Sequence, residues 1–429
     1  MNRIILIGNG FDLAHDLDTS YKHFIDDLWR VKIENFKRTT FVEEDIEFKG
    51  LVPYNSMLPI NVKTYIELNE FIKNSILQGS RGRVSLVFKN EFLKSITDKS
   101  TSNWVDVEDE YFEELLRVVK ADRNDKDKIS KLNADFLSIK KSLDEYISKE
   151  FEKKEKTLER HPDIYGEIFS NFNIEDFSKV GLESFIEEVT FELESIIEES
   201  NENNFLSYDE NQKKLYNHVI KENEQGKFYL DKNELNNLFR NHDYARHFFN
   251  LKPSNYLFLN FNYTKTETLY TTFIRNSFSD YKPDVEINHI HGEVGNTDNP
   301  IIFGYGDEIG KDYAVLEEVK NNDLLENVKS IRYLDTENYK KLLEYLESDK
   351  YQIFIMGHSC GNSDRTLLNT LFEHENCVSI KVFYYQESQD KDNYSDIIRN
   401  ISRNFNDKKM MREKVVNKKY CSPLISSIN

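Results

Sequence analysis

Four short stretches of this 429-residue chain hold the residue types that could do chemistry. Gly8-Asn9-Gly10-Phe11-Asp12 follows the apolar run Ile4 to Ile7. Asn260-Phe261-Asn262-Tyr263-Thr264 follows the run that begins at Tyr256. His289-Ile290-His291-Gly292 closes an alternating segment that begins at Glu286. Gly357-His358-Ser359 follows the run Tyr351 to Met356. Each run reads as a buried strand, and ligands of open parallel sheets sit beyond the carboxyl ends of the strands. Singly, each stretch has a plainer reading. Asn and Ser bond locally in caps and turns, and a lone His is more often a satisfied edge residue than a ligand. Four such ends together favour a common site.

Two of the stretches also spell known motifs. A strand that stops at Gly8-Asn9-Gly10 and turns into a helix lets the backbone approach a ligand and aims free N–H groups at a phosphate. The third glycine of the dinucleotide fingerprint is missing, with Ala14 and His15 near its place, so the motif alone is weak. Gly357-His358-Ser359-Cys360-Gly361 has the spacing of a nucleophile elbow. A triad on that fold needs an acid and then a histidine downstream. The only later histidine is His374, 15 residues on, so the triad is rejected.

The elements that must position these residues follow from the apolar period. Strands are expected at Ile4–Ile7, Tyr256–Asn260, Glu286–His291, Pro300–Phe303, Tyr351–Met356 and Val378–Tyr385, with helices around Leu342 and Leu368. Alternating strands and helices imply an α/β fold with a parallel sheet covered on both faces, which the first strand must join. Between them the text is helical. Ile129, Leu132, Phe136, Ile139, Leu143 and Ile147 recur three or four apart, as do Leu182, Phe185, Ile186, Val189, Leu193 and Ile197. Trp104-Val105-Asp106-Val107-Glu108 opens another helix. The acidic run Glu194 to Glu202 reads as a helix end and solvated loop. The expected division is 1–30, the first strand, turn and helix; 31–250, a large, mainly helical insertion; 251–390, the rest of the sheet domain; and 391–429, a helical, basic tail.

Composition narrows the function. There are 57 basic and 76 acidic residues, a net charge of -19, which argues against a dedicated duplex nucleic-acid binder. Three cysteines without paired spacing supply no structural zinc site of the usual kind, and no metal is expected. No signal peptide or membrane span is read, so a cytoplasmic protein is expected.

Together these residues resemble the AbiH family of bacterial phage abortive-infection proteins. The matching pieces are Gly8-Asn9-Gly10-Phe11-Asp12 through His15, Leu17 through Phe24, Trp104-Val105-Asp106-Val107-Glu108, Phe261-Asn262-Tyr263-Thr264, Ile290-His291-Gly292, and Met356-Gly357-His358-Ser359 with Asp364. Asp16 stands where the family is expected to have Gly. AbiH proteins more distantly resemble the sirtuin-like, Rossmann-like NAD-binding fold, some of whose bacterial defence members hydrolyse NAD. That resemblance implies a dinucleotide-binding set of Gly8, Asn9, Gly10, Phe11, Gly357, His358, Ser359 and Asp364. It implies a reaction set of Asn262, His291 and Asp12, with NAD as substrate or ligand. Asn262 would position water or ribose, His291 would act as general base, and Asp12 would stabilise a cationic sugar. His289, two residues from His291, is set aside. Two departures stand out. Thr264 takes the place of an expected Asp, and the four-cysteine zinc module of protein deacylases is absent.

Three classes remain: an NAD glycohydrolase, a nucleotide sensor without turnover, and a protein-interaction module of an anti-phage system. Binding without cleavage separates the second from the first. Indifference to changes at Gly10 marks the third. A nuclease is a weaker fourth, for want of a metal cluster and a basic face. A phage component as trigger and assembly into a homo-oligomer are left open. Asp106 and Glu108 could reach the cleft, although a helix-start acid pair beside a core Trp104 is the preferred reading.

Overall fold

A computed structural model describes the chain except residues 37–40, 51–57, 59–60, 78–83, 102–105, 124, 200–219, 223–227, 242–251, 276–282 and 426–429. Trp104 and the end of the 194–202 acidic run lie outside the described residues.

Five strands build the main sheet: β1 (Asn2–Ile7), β2 (Asn255–Asn260), β3 (Asp284–His289), β4 (Tyr351–Met356) and β5 (Cys377–Phe383). Their order across the sheet is β5-β4-β1-β2-β3, and every pairing is parallel. The strand separated from the others by the longest stretch of chain is therefore the central one. Period-two alternation divides its side chains between two cores. Ile4 and Leu6 join Leu257, Leu259, Ile353 and Ile355 on one face, against Leu342, Leu346, Leu367 and Leu371 of two covering helices. Ile5 and Ile7 join Tyr256, Phe258, Phe354 and Met356 on the other, against Phe11, Ile164 and Tyr270. A slip of one residue would exchange the two sets, so packing fixes the register.

That register sets the strand ends level. Phe383 pairs with Met356, Met356 with Ile7, Ile7 with Asn260, and Asn260 with His289. All four sequence stretches thus leave one edge of the sheet side by side.

The helical unit has a core of its own. Helices α1 (Asn9–Ala14) and α2 (Tyr21–Phe36) lead into it, and α3 (Glu91–Ser100), α4 (Val107–Ala121) and α5 (Lys126–Lys154) form its body. The six α5 residues from Ile129 to Ile147 singled out by their period are all buried. Residues 32–100, which show no clear period, include a small antiparallel sheet of Phe41–Val42, Ile46–Gly50 and Val84–Phe88.

Two expectations change. Pro300–Phe303 is not a strand; β3 is the sheet edge. The segment is extended, with Ile302 N–H donating to His291 O at 2.8 Å, but it bridges two cores. Ile302 packs on the sheet, while Ile301 and Phe303 pack in the helical unit. The helical core also takes in Tyr305, Leu316 and Val328, so packing does not divide at residue 250. The basic tail runs along the open side of β5. Val416 N–H donates to Ile380 O at 2.9 Å, and Leu424 N–H to Tyr384 O at 2.8 Å. Among the described residues, no helix is long and apolar enough to cross a membrane.

Candidate functional site

A cavity of about 890 Å³ opens at the level edge of the sheet, beneath the helical unit. Its lining includes Gly8, Asn9, Gly10, Asp12, Asn262, His291, Gly357, His358, Ser359 and Asp364. Of the residues assigned to the dinucleotide-binding and reaction sets, Phe11 alone is not in the wall. It is buried beneath, its ring 4.8 Å from that of His15 and 5.6 Å from that of Tyr270.

The glycines serve first to bring two turns together. Gly357 sits at φ +78, and a Cβ there would lie 2.1 Å from Phe11 N. A Cβ on Gly10 would lie 2.8 Å from Gly357 Cα. The Gly10 N–H donates to Gly357 O at 2.8 Å, so this donor is engaged within the protein. Asn262 is tied to the same place, its Nδ2 donating to Gly8 O at 3.0 Å.

Asp12 points into a nest of hydroxyls. Thr264 donates to it at 2.7 Å, Thr266 at 2.8 Å and Thr19 at 3.2 Å. Burial pushes its carboxyl up to about 6, against the three hydroxyls that favour the ion. Thr264, the departure from the expected Asp, is thus the principal holder of Asp12.

Another part of the lining carries charge. Asp364 Oδ1 lies 2.7 Å from Lys329 Nζ and 3.3 Å from His291 Nε2, and its Oδ2 lies 3.4 Å from His358 Nε2. Burial alone would raise the Asp364 carboxyl, but Lys329 and the two histidines outweigh it and hold the group well below the usual carboxylate range. Lys329 Nζ also meets Glu108 Oε2 at 2.9 Å, while Glu108 Oε1 accepts the Gly304 N–H at 2.9 Å. Burial, reinforced by Asp106 and Asp364, pushes Glu108 up to about 8, and Asp109 rises to about 7 by burial and Asp106.

His291 is not the ordinary imidazole expected of a general base. Burial, then the Lys329 charge, lowers it to about 3, so it is neutral at physiological pH. Tyr333 OH stands 3.1 Å from its Nε2, and Phe261 packs edge-on against both His291 and His358. His289 is held elsewhere, 3.0 Å from Glu267. Ser359 is an exposed part of the wall, and its neighbour His358 is engaged by the Cys360 N–H at 2.9 Å and by Asp364.

Asp106 caps α4, accepting the Glu108 N–H at 3.0 Å and the Asp109 N–H at 3.2 Å. The helix-start reading therefore holds for Asp106, and both Asp106 and Glu108 line the cavity. Lys329 and Tyr333 were missed from sequence. Glu108 had a legible signal: it lies three and seven residues before Tyr111 and Leu115, on the apolar stripe of α4, where an acid must find a buried partner.

Comparison with curated proteins and with solved structures finds no match. Residues 4–386 match the family described as Bacteriophage abortive infection AbiH. Every residue of the cavity's charged wall falls within that span, and the chain belongs to this phage abortive-infection family.

Proposed function

We propose that the protein is an abortive-infection effector whose cavity binds a nucleotide and hydrolyses NAD to nicotinamide and ADP-ribose. The choice of NAD rests on the sequence resemblance to sirtuin-like proteins. The strand order supports a Rossmann-like reading, because β1 is the switch point from which the chain winds outward on both sides, and ligands of such sheets sit there.

The observation that carries the reading is the buried Asp364 carboxylate, facing two histidines inside the cavity. Cleavage breaks the bond between ribose C1′ and the nicotinamide nitrogen. The electron pair leaves with nicotinamide, and positive charge develops on the sugar. A fixed anion in a water-poor wall stabilises such charge. We assign that part to Asp364 rather than to Asp12, whose oxygens face three hydroxyl donors. Water then bonds to C1′ and releases its proton through the His291–Asp364 pair to solvent. Attack on a cationic sugar needs water held in place more than a strong base, which suits a neutral His291. Asn262, in the lining of the same cavity, is assigned to orient water or ribose.

Purified protein incubated with NAD, with and without lysate of phage-infected cells, tests this by chromatography of nicotinamide and ADP-ribose. Release is expected, and folded His291→Ala and Asn262→Ala proteins should lose it. Undiminished release in both variants would sink the assignment of the site. A second reading, a sensor that binds without cleaving, is favoured by the Gly10 N–H and the Asn262 amide being engaged by the protein itself. NAD or ADP-ribose binding without release would select it.

A further inference from the structure

The Lys329 side chain is fully buried behind the cavity wall, against Glu108 and Asp364, which line it. Its backbone belongs to the helical unit. Lys329 N–H donates to Tyr305 O at 2.8 Å, and the Tyr305 ring stacks 4.3 Å from that of Phe112 on α4. Its ammonium reaches two carboxylates of different origin, Glu108 near the start of α4 and Asp364 in the loop after β4. Stability alone gives little reason for this arrangement. Taking an ammonium out of water costs several kcal/mol, and apolar residues often replace buried ion pairs without loss. What an apolar residue cannot do is fix the direction of a carboxylate.

We propose that Lys329 is the positioning residue of the site: its ammonium ties Asp364 of the sheet domain to Glu108 of the helical unit and so holds the Asp364 carboxylate against His291 and His358. The helical unit then does more than cover the sheet. A shift of α4 moves Glu108 and Lys329, and with them the anion on which the two histidines rest. The inference deepens the proposed reaction at the same site, and its kinetic arm rests on that reading.

The charged and titratable groups facing Asp364 are Lys329, His291 and His358, with Glu108, Asp106 and Asp109 beyond and Tyr21, Tyr263, Tyr333 and Cys360 also within its field. Carbon-13 NMR of aspartate-labelled full-length protein follows the carboxyl directly, with the Asp364 signal assigned by its loss in Asp364→Asn. In the parent it should stay ionised from about pH 7.5 down to about pH 4. In Lys329→Gln, with only His291 and His358 left beside it, its titration should move up toward that window. Lys329→Arg should keep it ionised, and so should Glu108→Gln, in which Lys329 remains. Glu108→Gln/Lys329→Gln, which leaves one fewer carboxylate without a cation, repeats the measurement in case the single variant does not fold. An Asp364 titration that does not move up in a folded protein lacking Lys329 overturns the proposal. Failure of both variants to fold makes the lysine a structural requirement and overturns it as well.

Where NAD is cleaved, Lys329→Gln should lose about 100-fold in kcat, with KM within about 3-fold, and Lys329→Arg should recover most of the loss. No cleavage in the parent removes the reaction but leaves the carboxyl titration to decide the positioning role. Cleavage with an unmoved Asp364 signal removes the positioning role alone.

Discussion

Asp12 and Asp364 are two buried aspartates in the lining of one cavity, and they are held in opposite ways. Asp12 accepts from three threonine hydroxyls, which are neutral and cannot repay the cost of burying a charge. Its carboxyl rises to about 6. Asp364 meets an ammonium and two imidazoles at similar distances, and its carboxyl falls well below the usual range. Burial is equal, so the charge of the partner decides. Asp12 is suited to locking the first turn against the β2 end. Asp364 is a permanent anion, suited to facing positive charge.

One substitution made at both places should give effects of opposite sign. Asp364→Asn leaves Lys329 with one carboxylate and two histidines without theirs. It should lose about 3–5 kcal/mol in urea unfolding at pH 7, the cost of breaking a buried ion pair. Asp12→Asn removes a charge the fold disfavours, and an amide still bonds to hydroxyls. It should gain stability at pH 7, up to about 3 kcal/mol for a carboxyl moved from 3.8 to about 6. A comparable loss in both variants would mean that the threonines recognise the carboxylate itself, and the contrast would fail.

The dependence on pH sharpens the contrast. A carboxyl whose folded pKa is raised contributes stability fully present below the unfolded value and lost as pH rises through the folded one. The advantage of Asp12→Asn over the parent should therefore be absent below about pH 4, grow toward about pH 6 and stay level above. For Asp364, with a lowered pKa, the contribution is present above the unfolded value and lost only as pH falls below it. The deficit of Asp364→Asn should be level from about pH 5 to pH 8 and shrink in stronger acid. Urea midpoints across pH for the three proteins check both slopes, and a deficit in Asp364→Asn that grows in acid would be inconsistent with an ion held by Lys329.

The two walls also differ in how far they could be read from sequence. The strands that lead to Asp12, Asn262 and Gly357 are continuous apolar runs, the one before His291 alternates, and their ends are marked by Gly, Asn and His. A local pattern was enough. Pro300–Phe303 is likewise a short apolar run, yet its two faces serve two different cores, which no local pattern distinguishes from a strand. The charged wall depends on contacts at long range. Lys329 lies 221 residues from Glu108 in a charged stretch where nothing separates it from a solvated lysine. Only the assembled fold shows that its ammonium is buried. Glu108 was half legible, an acid on an apolar stripe whose partner stayed unknown. The lowered pKa of His291 follows first from its burial and then from Lys329, and both were hidden until the fold was assembled.

A third aspartate sharpens the comparison at its weakest end. Asp16 closes the turn that carries Asp12. It is exposed, and its distinguishing feature is backbone conformation, at φ 60. An L-residue is strained in this left-handed region, Asp less than most, and Gly is not. That gives a physical reason for expecting Gly at this position in relatives. Asp16→Gly should stabilise by at most about 1 kcal/mol, because the relief of strain is partly offset by the greater freedom of Gly in the unfolded chain. Asp16→Val, branched at Cβ, should lose about 1–2 kcal/mol. Urea midpoints of the two variants measure the interval between them. If both match the parent, the turn relaxes at no cost and does not hold Asp12 in place, and the threonines alone define its wall of the cavity.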